Sequence, residues 1–379
     1  MPFDHTHYVP ILKGKQGEFD ALQNITSAEQ IKGVTPLIEI PQIAEVYPDP
    51  QSAPVPSKTI DEHVTDVSEN LIKAVKNLPA IFVDGFYIET EDDLQDGSSP
   101  IDSVFASLRA AQITFIPVIG MDRVEDYADS VSNAISTDNR GCCLRLVEAD
   151  IDGLAELGAQ ISGLLQTLSI KPSDVDLLVD FGPKVPQKAT LPLLINELPF
   201  ISEWRTFTIA SSSFPADMSD VKRNSVKELE RDEWTTWLSL RTKSNVKRMP
   251  TFGDYGINHP VLTDFNPFTM SMSPNIRYTD DLNYVLAKGQ AQPRKKWASD
   301  PDHPERLEIR AQLAPGVQYP KLAMIIKKHK AWKGKTFSWG DGFIDKCSHK
   351  ECVGNATDWR AVGMNHHIVL TVQQIANLP

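Results

Sequence analysis

The sequence lacks several features that would place it in a class at once. It has no apolar run near the roughly 18 to 20 residues that a membrane-spanning helix needs. Its four cysteines in 379 residues are too few for the disulfide framework of a small secreted protein. The first residues show no basic, apolar leader with a small-residue cleavage site. We therefore expect a globular cytoplasmic protein that does not enter a membrane and keeps its cysteines reduced.

Positive charge is also scarce, because 38 Lys and Arg face 50 Asp and Glu and the net charge is −12. This balance argues against a protein whose whole surface binds nucleic acid. Residues 285–335 depart from it, with twelve Lys and Arg against four Asp and Glu and with aromatic residues between them. Such a segment can neutralise phosphates and stack bases, so it suggests a nucleic acid or nucleotide partner. A solvated face that balances the acidic body is the other interpretation.

Short apolar runs alternate with segments of helical spacing along the first two-thirds of the chain. The predicted strands are Tyr8–Leu12, Thr35–Ile40, Ala80–Val83, Ile113–Ile119, Cys142–Val147, Val175–Val179, Phe207–Ala210 and, more weakly, Val246–Phe252. Eight strand–helix units over roughly 250 residues fit an α/β fold of the closed (β/α)₈ TIM type. An open doubly wound sheet is the alternative, but the turn after the first run is neither a dinucleotide fingerprint nor a Walker loop.

The alternation stops after residue 256. We therefore predict a barrel over residues 1–256 and a C-terminal α+β extension over residues 257–379 that packs on it. In the extension, Asn275–Thr279 and Tyr284–Ala287 have the pattern of a short hairpin. The last apolar segment, His367–Asn377, is a candidate for the helix that completes the barrel.

Polar residues follow nearly every predicted strand, at the end where barrel active sites lie. A charge inside a barrel is costly unless it reaches the mouth or a partner, so we expect these side chains to converge on one pocket. The predicted acid, base or metal-ligand carboxylates are Glu39, Asp84, Asp180 and Asp254. The groups predicted to bind the substrate are Lys13, Lys15, Arg145, Ser212, Arg248, Tyr255 and His367, of which the two lysines and Arg248 suit an anionic one. A structural ion-pair network is the alternative, especially for Arg145, which lies within a strand and can tie the carboxylates together.

This set of side chains suits a small number of reactions. Paired carboxylates split glycosidic bonds, or they hold Mg²⁺ or Mn²⁺ for phosphodiester chemistry while Lys and Arg neutralise phosphate. A lysine such as Lys13 or Lys15 that forms a Schiff base with a carbonyl substrate is a third option. Cys347, His349 and Cys352 with the two following histidines are a weak zinc candidate, because the spacing matches no standard finger.

Several short motifs resemble the beta protein family of T-even-type phages and of bacterial mobile and defence islands. The motifs are YVPILKGKQGE at 8–18, PLIEI at 36–40, GDYG at 253–256, WGD at 339–341 and NHHI at 365–368. The resemblance covers nearly the whole chain and implies a role in conflict between phage and host. It implies no catalytic residue, so the predicted site depends on the strand ends alone.

The sequence as a whole favours a hydrolase that acts on a glycosidic or phosphodiester bond of a nucleotide or nucleic acid in anti-phage defence. The alternative is a catalytically silent barrel that binds nucleic acid or a protein partner within a defence or phage system. The two interpretations place function in different parts of the chain, the strand-end carboxylates or the basic segment 285–335.

Overall fold

A closed barrel of eight parallel strands forms the body of the molecule. The computed structural model describes residues 3–49, 51–262, 266, 268–293 and 302–378. The described strands are β1 (Tyr8–Leu12), β2 (Leu37–Glu39), β3 (Glu45–Val46), β4 (Val55–Pro56), β5 (Ile81–Asp84), β6 (Phe115–Ile119), β7 (Cys142–Val147), β8 (Val175–Asp180), β9 (Thr206–Ala210), β10 (Ser225–Glu230), β11 (Thr251–Asp254), β12 (Asn275–Thr279) and β13 (Asn283–Lys288). The barrel follows the order β1, β2, β5, β6, β7, β8, β9, β11 and returns to β1. The TIM-type fold class is therefore confirmed.

Helices connect the barrel strands on the outside. They are α1 (Gln16–Gln23), α2 (Ala28–Lys32), α3 (Ile60–Val75), α4 (Pro100–Ala110), α5 (Glu125–Asp138), α6 (Glu148–Asp152), α7 (Leu154–Thr167), α8 (Leu191–Glu197) and α9 (Asp232–Leu240). Helix α3 shows why such segments fold: Thr59 and Glu62 form a capping box at its start. Its buried Val64, Val67 and Leu71 then recur at helical spacing and face the barrel core.

The weakest predicted strand lies later in the chain than expected. Strand β11 covers Thr251–Asp254, whereas the apolar pattern suggested Val246–Phe252. Arg248 explains the shift, because its guanidinium donates to the carbonyls of Ile201 and Trp204 and so holds the preceding residues at the opposite end of the barrel.

The apolar spacing over Met218–Leu240 predicts one helix, but the segment contains a strand and a helix instead. Strand β10 pairs along its whole length with β13, with Ser225 opposite Lys288. Its Lys, Glu and Leu residues are good helix formers, but pairing with a strand distant in sequence overrides that local preference.

The C-terminal region builds a second core around a three-stranded antiparallel sheet of order β10, β13, β12. Strands β12 and β13 confirm the predicted hairpin. The helices here are α10 (Glu305–Gln312), α11 (Pro315–Lys328), α12 (Trp339–Ser348) and α13 (Ala356–Ala376). Helix α13 joins the two cores, because Ile368 and Val372 pack into the barrel core and Val362 packs into the second one. Helix α13 lies against α1 and β1. The predicted domain boundary at residue 256 stays a prediction.

The cysteines differ from expectation in one respect. Cys347 and Cys352 form a disulfide, so the expectation that all four are reduced is wrong for this pair. Cys142 and Cys143 are free and buried on opposite sides of β7, one in the outer core and the other inside the barrel. Over the described ranges, no helix combines the length and apolarity needed to cross a bilayer.

Two glycines at helix-interior positions test the packing of α13. A Cβ at Gly363 would lie 2.3 Å from the carbonyl oxygen of Arg277, whereas a Cβ at Gly163 in α7 meets nothing within 4 Å. We expect Gly363→Ala to lower the free energy of unfolding, because the helix must move away from β12. Gly163→Ala should raise it by about 0.5–1 kcal/mol, the usual gain for alanine in a helix. Chemical denaturation of both variants measures this, and equal effects would contradict the packing of α13.

Candidate active site

The alternation of strand side chains selects which residues reach the barrel mouth. Ile11 and Cys143 point into the barrel interior, so Lys13 and Arg145, two residues further on, point the same way. Tyr255, just after β11, is also an interior residue. Glu39, Asp84 and Asp180 follow the interior residues Leu37, Phe82 and Leu178 by the same two-residue step. These six side chains therefore meet at the C-terminal end of the barrel.

Arg145 is at the centre of this group. Its Nη1 lies 2.8 Å from Oε1 of Glu39 and 2.8 Å from Oδ2 of Asp84, and its Nη2 lies 2.5 Å from Oδ2 of Asp180. Nη2 also donates to the Tyr255 hydroxyl, which donates in turn to Asp180. The expectation that Arg145 ties the carboxylates together is confirmed. We call these five residues the Arg145 cluster.

Lys13 adds a second cation beside Glu39. Its Nζ lies 2.5 Å from Oε2 of Glu39, donates to the Tyr87 hydroxyl at 3.2 Å and sits over the ring of Tyr255. Only 5% of the Lys13 side chain and 2% of the Glu39 side chain are exposed. Both oxygens of Glu39 therefore face a cation, Oε1 that of Arg145 and Oε2 that of Lys13.

A third cation, Arg123, comes from the loop after β6. It lies 2.7 Å from Oδ1 of Asp84 and 3.1 Å from Oε2 of Glu89. Arg123 was not predicted from the sequence, because strand β6 and the residue after it offer only apolar residues, Pro117 and Gly120. The signal was present in the loop, since any basic residue a few positions past a barrel strand lies on the functional face.

The pKa values of the titratable groups at the mouth shift in different directions, because their surroundings differ. Burial alone would raise the pKa of Asp84, but Arg123 and Arg145 together hold it below its usual value. Burial and the charge of Asp180 raise the pKa of Tyr255, so its hydroxyl stays protonated. Asp150 in α6 behaves differently, because burial raises its pKa although it accepts a hydrogen bond from the N–H of Val147.

A cavity of about 340 Å³ opens above the Arg145 cluster. Glu39 and Asp150 both line it, together with the aromatic rings of Phe86, Tyr87 and Tyr255. Asp84 and Asp180 are buried at 0% and 4% exposure and are not among the lining residues. Glu39 is thus the member of the predicted carboxylate set that a ligand in this mouth cavity would touch. Asp150 and Tyr87 are further residues that the strand-end analysis missed.

Asp254 and His367 do not join the mouth, so the expected convergence of four carboxylates is wrong for Asp254. Asp254 directly precedes the inward Tyr255 and therefore points outward. Its carboxylate accepts from the Tyr8 hydroxyl at 2.5 Å and lies 2.9 Å from Nε2 of His367, with neither acidic nor imidazole group exposed. Burial lowers the pKa of His367, which keeps its ring neutral. The pair links α13 to the barrel wall.

Three other predicted binding residues also lie apart from the Arg145 cluster. Arg248 binds backbone carbonyls at the opposite end of the barrel, because it precedes its strand instead of following it. The Ser212 hydroxyl accepts from the N–H of Phe214 and so stabilises the turn after β9. Lys15 starts α1 and lines a neighbouring cavity.

The metal-binding options can be compared with the side chains present. Among the residues that the structure describes, no three His, Cys, Asp or Glu are grouped so that they could hold a metal ion. Arg145 lies where a divalent cation between Glu39 and Asp84 would have to bind. The zinc candidate loses two ligands, because the sulfurs of Cys347 and Cys352 are bonded to each other.

Three lysines in the described part of the basic segment are engaged in ion pairs. Lys327 pairs with Asp345, Lys330 with Glu228 and Lys333 with Asp281. Arg294, Lys295, Lys296 and Trp297 lie outside the described residues. These three lysines fit the solvated, charge-balanced face that was the alternative interpretation, and a nucleic acid partner stays a prediction.

Comparison with known proteins identifies the family. The family model described as Beta protein matches residues 8–373, so the chain belongs to that family and the resemblance is confirmed. No curated protein matches the chain.

Arg145 offers a direct test of the cluster. Removing one partner of a buried ion network leaves uncompensated charge, so Arg145→Met should lower the free energy of unfolding by about 3–5 kcal/mol at neutral pH. The remaining carboxylates would be buried with fewer cations, and their pKa values would rise. The deficit should therefore shrink as the pH falls and they become protonated. Urea denaturation at neutral and mildly acidic pH measures both effects.

The matched control is Lys184→Met, because Lys184 is exposed and pairs with Glu148 at the surface. Little change is expected there. A deficit for Arg145→Met that is small, or that does not depend on pH, would show that the cluster does not bury ionised carboxylates.

Proposed function

We propose that this member of the Beta protein family is a hydrolase that cleaves a glycosidic bond of a nucleotide in the mouth cavity. The observation that carries the proposal is a pair of carboxylates in different environments that line the same cavity. Glu39 faces the cations Lys13 and Arg145, whereas burial raises the pKa of Asp150. Pairs whose environments differ in this way are the ones that divide into base and acid.

The two residues would take complementary roles. Asp150, protonated, donates its proton to the leaving base as the bond from that base to the anomeric carbon breaks. A water oxygen forms the new bond to the anomeric carbon, and Glu39 takes the proton that the water loses. The negative charge of Glu39 also favours the positive charge that develops on the sugar. Asp84 and Asp180 are positioning residues, since they hold Arg123 and Arg145 and touch no ligand in the cavity.

A glycosidic bond suits this site better than a phosphodiester bond. The transition state of glycoside cleavage carries positive charge on the sugar, which nearby carboxylates stabilise. The transition state of phosphoryl transfer carries spread negative charge, which the same carboxylates would oppose. Arg145 and Lys13 are already occupied by Glu39, Asp84 and Asp180 and cannot turn to phosphate without losing those partners.

A nucleotide suits the site better than a long polymer. The mouth cavity of about 340 Å³ is within the usual range for small-molecule pockets, roughly 300–1,000 Å³. Its exposed Phe86 ring and the Tyr87 ring give flat surfaces on which a base can stack. The paired lysines of the basic segment give little support to the silent nucleic-acid-binding barrel. A role in phage–host conflict stays a prediction from the family resemblance, as does a protein partner.

The activity test uses a panel of nucleotides, RNA and DNA, with and without EDTA, and reads released bases and strand breaks separately by mass spectrometry. We expect release of base that resists EDTA. Glu39→Gln and Asp150→Asn should each lower kcat/KM by about 10²–10⁴-fold, the usual contribution of a general acid or base, with the fold intact by circular dichroism.

Asp176→Asn is the matched control. Asp176 is a buried carboxylate that pairs with Arg205 at 2.6 Å, near the amino end of β8 and far from the mouth. Its variant should keep the activity per folded molecule. Metal-dependent strand breaks, or base release that survives both mouth substitutions, would contradict the proposed reaction.

The pH profile tests the assignment of the acid. Since Asp150 acts in its protonated form, kcat/KM should fall as the pH rises through its raised pKa. In Asp150→Asn the remaining activity should lose this alkaline limb. If the limb persists in that variant, another group donates the proton and the role of Asp150 is wrong.

A further inference from the structure

A second cavity of about 340 Å³ lies beside the mouth, between the barrel and the C-terminal region. Lys13 and Val261 line both cavities, so the two are direct neighbours. We call the second one the cationic cavity, because Lys15, Arg277 and Arg360 also line it. The mouth reaction described above does not use these three residues.

Arg360 lacks a direct partner. It makes no hydrogen bond or ion pair within the described part of the chain, although it is more than half buried. Burial lowers the pKa of Arg360 to about 10, and the charge of Glu18 offsets this only in part. Burying a guanidinium without a hydrogen-bonded counter-charge costs free energy. An anion that bound to Arg360 would remove part of that cost.

Arg277 is also incompletely satisfied. Its Nη1 donates to the carbonyl oxygen of Ile257 and to Oδ1 of Asn258, at 2.5 and 3.1 Å. Its Nε is buried and has no hydrogen-bond partner among the described residues. Nε is too buried to reach a ligand, but Nη2 donates no hydrogen bond among the described residues. With the guanidinium lying over the Phe214 ring, Nη2 is the donor left for an anion.

Glu18, the acidic residue in the wall of the cationic cavity, is already engaged. Its Oε2 accepts from the backbone N–H of Lys15 and its Oε1 accepts from the side-chain amide of Asn258, at 3.1 and 2.7 Å. Burial also raises the pKa of Glu18, while Lys13, Lys15, Arg277 and Arg360 all line the same cavity. The cavity therefore carries an excess of positive charge.

The start of α1 contributes backbone donors to the same wall. Gln16 and Gly17 line the cavity, and the residue before them, Lys15, provides no side-chain cap for the helix. The first N–H groups of a helix have no acceptor within the helix, and the helix dipole places partial positive charge there. Arginines and uncapped helix N–H groups together are the common construction of a phosphate site.

We propose that the cationic cavity binds the phosphate group of the nucleotide whose glycosidic bond lies in the mouth cavity. Lys13, shared by both walls, sits where the sugar between the two ends of such a ligand would pass. The inference rests on the proposed function for the identity of the ligand, but the anion site itself does not require turnover. It makes a phosphorylated nucleoside, and not a free nucleoside, the substrate.

Calorimetric titration tests the site by binding alone. The probes are the common ribonucleoside 5′-monophosphates, the matching nucleosides and inorganic phosphate. The intact protein should bind at least one monophosphate roughly 10- to 100-fold more tightly than its nucleoside, as expected for one or two charge-assisted hydrogen bonds. In Arg360→Gln this advantage should fall to about twofold or less, and Lys15→Met, whose side chain is exposed and not needed for folding, should reduce it in part.

Lys73→Met removes an exposed lysine of α3 that lines neither cavity, and it should leave the advantage unchanged. If no monophosphate binds more tightly than its nucleoside, or if Arg360→Gln and Lys15→Met keep the full advantage, the phosphate site is wrong. The outcome is separable from the hydrolase test: phosphate-dependent binding without turnover would retain the site and remove the reaction. Turnover with equal affinity for nucleoside and monophosphate would retain the reaction and remove the site.

Discussion

The position of one guanidinium inside the barrel sets the organisation of the functional face. Arg145 projects from β7 into the space that Glu39, Asp84 and Asp180 share, and it satisfies all three at once. Without it, the carboxylates that β2, β5 and β8 send into the barrel would be buried close together with less compensating charge, an arrangement that low-dielectric surroundings do not tolerate. With Arg145 in place, the carboxylates form an ion-paired group below the cavity, and of the three only Glu39 lines the cavity. The ion network that stabilises the mouth therefore also determines which acid can react.

The C-terminal region completes this face from the side. Helix α13 is attached to the barrel by the buried contact of His367 with Asp254, and it carries Arg360 into the cationic cavity. Asp254, which looked catalytic in the sequence, is better understood as the anchor that positions this helix. In the proposed mode of binding, carboxylates of the barrel face the sugar, and cations from the junction between barrel and extension face the phosphate. Both arise from one requirement, that buried charges must find partners of opposite sign.

The sequence predicted the fold well, because parallel barrel strands are continuous apolar runs, as in Cys142–Val147, that stand out from their helical neighbours. It also predicted Glu39, Asp84, Asp180 and Arg145 as a group, since strand ends of a barrel meet at one mouth. The prediction for Asp254 was wrong because adjacent residues of a strand point to opposite faces. A difference of one residue therefore decides whether a side chain reaches the mouth or the outer core. Asp150 and Arg123 were missed because the short segments that follow β7 and β6 have no periodicity to place them. The position of Arg360 depends on contacts across more than three hundred residues, such as its close approach to Gly17.

A crystal structure of Glu39→Gln with a bound ribonucleoside 5′-monophosphate would test the central claim most directly, because the variant should hold its substrate without cleaving it. The account expects the anomeric carbon beside residue 39 with the base toward Asp150, and the phosphate against Arg360 and the first turn of α1. A nucleotide bound on the basic segment 285–335, or with its phosphate over the Arg145 cluster, would contradict it.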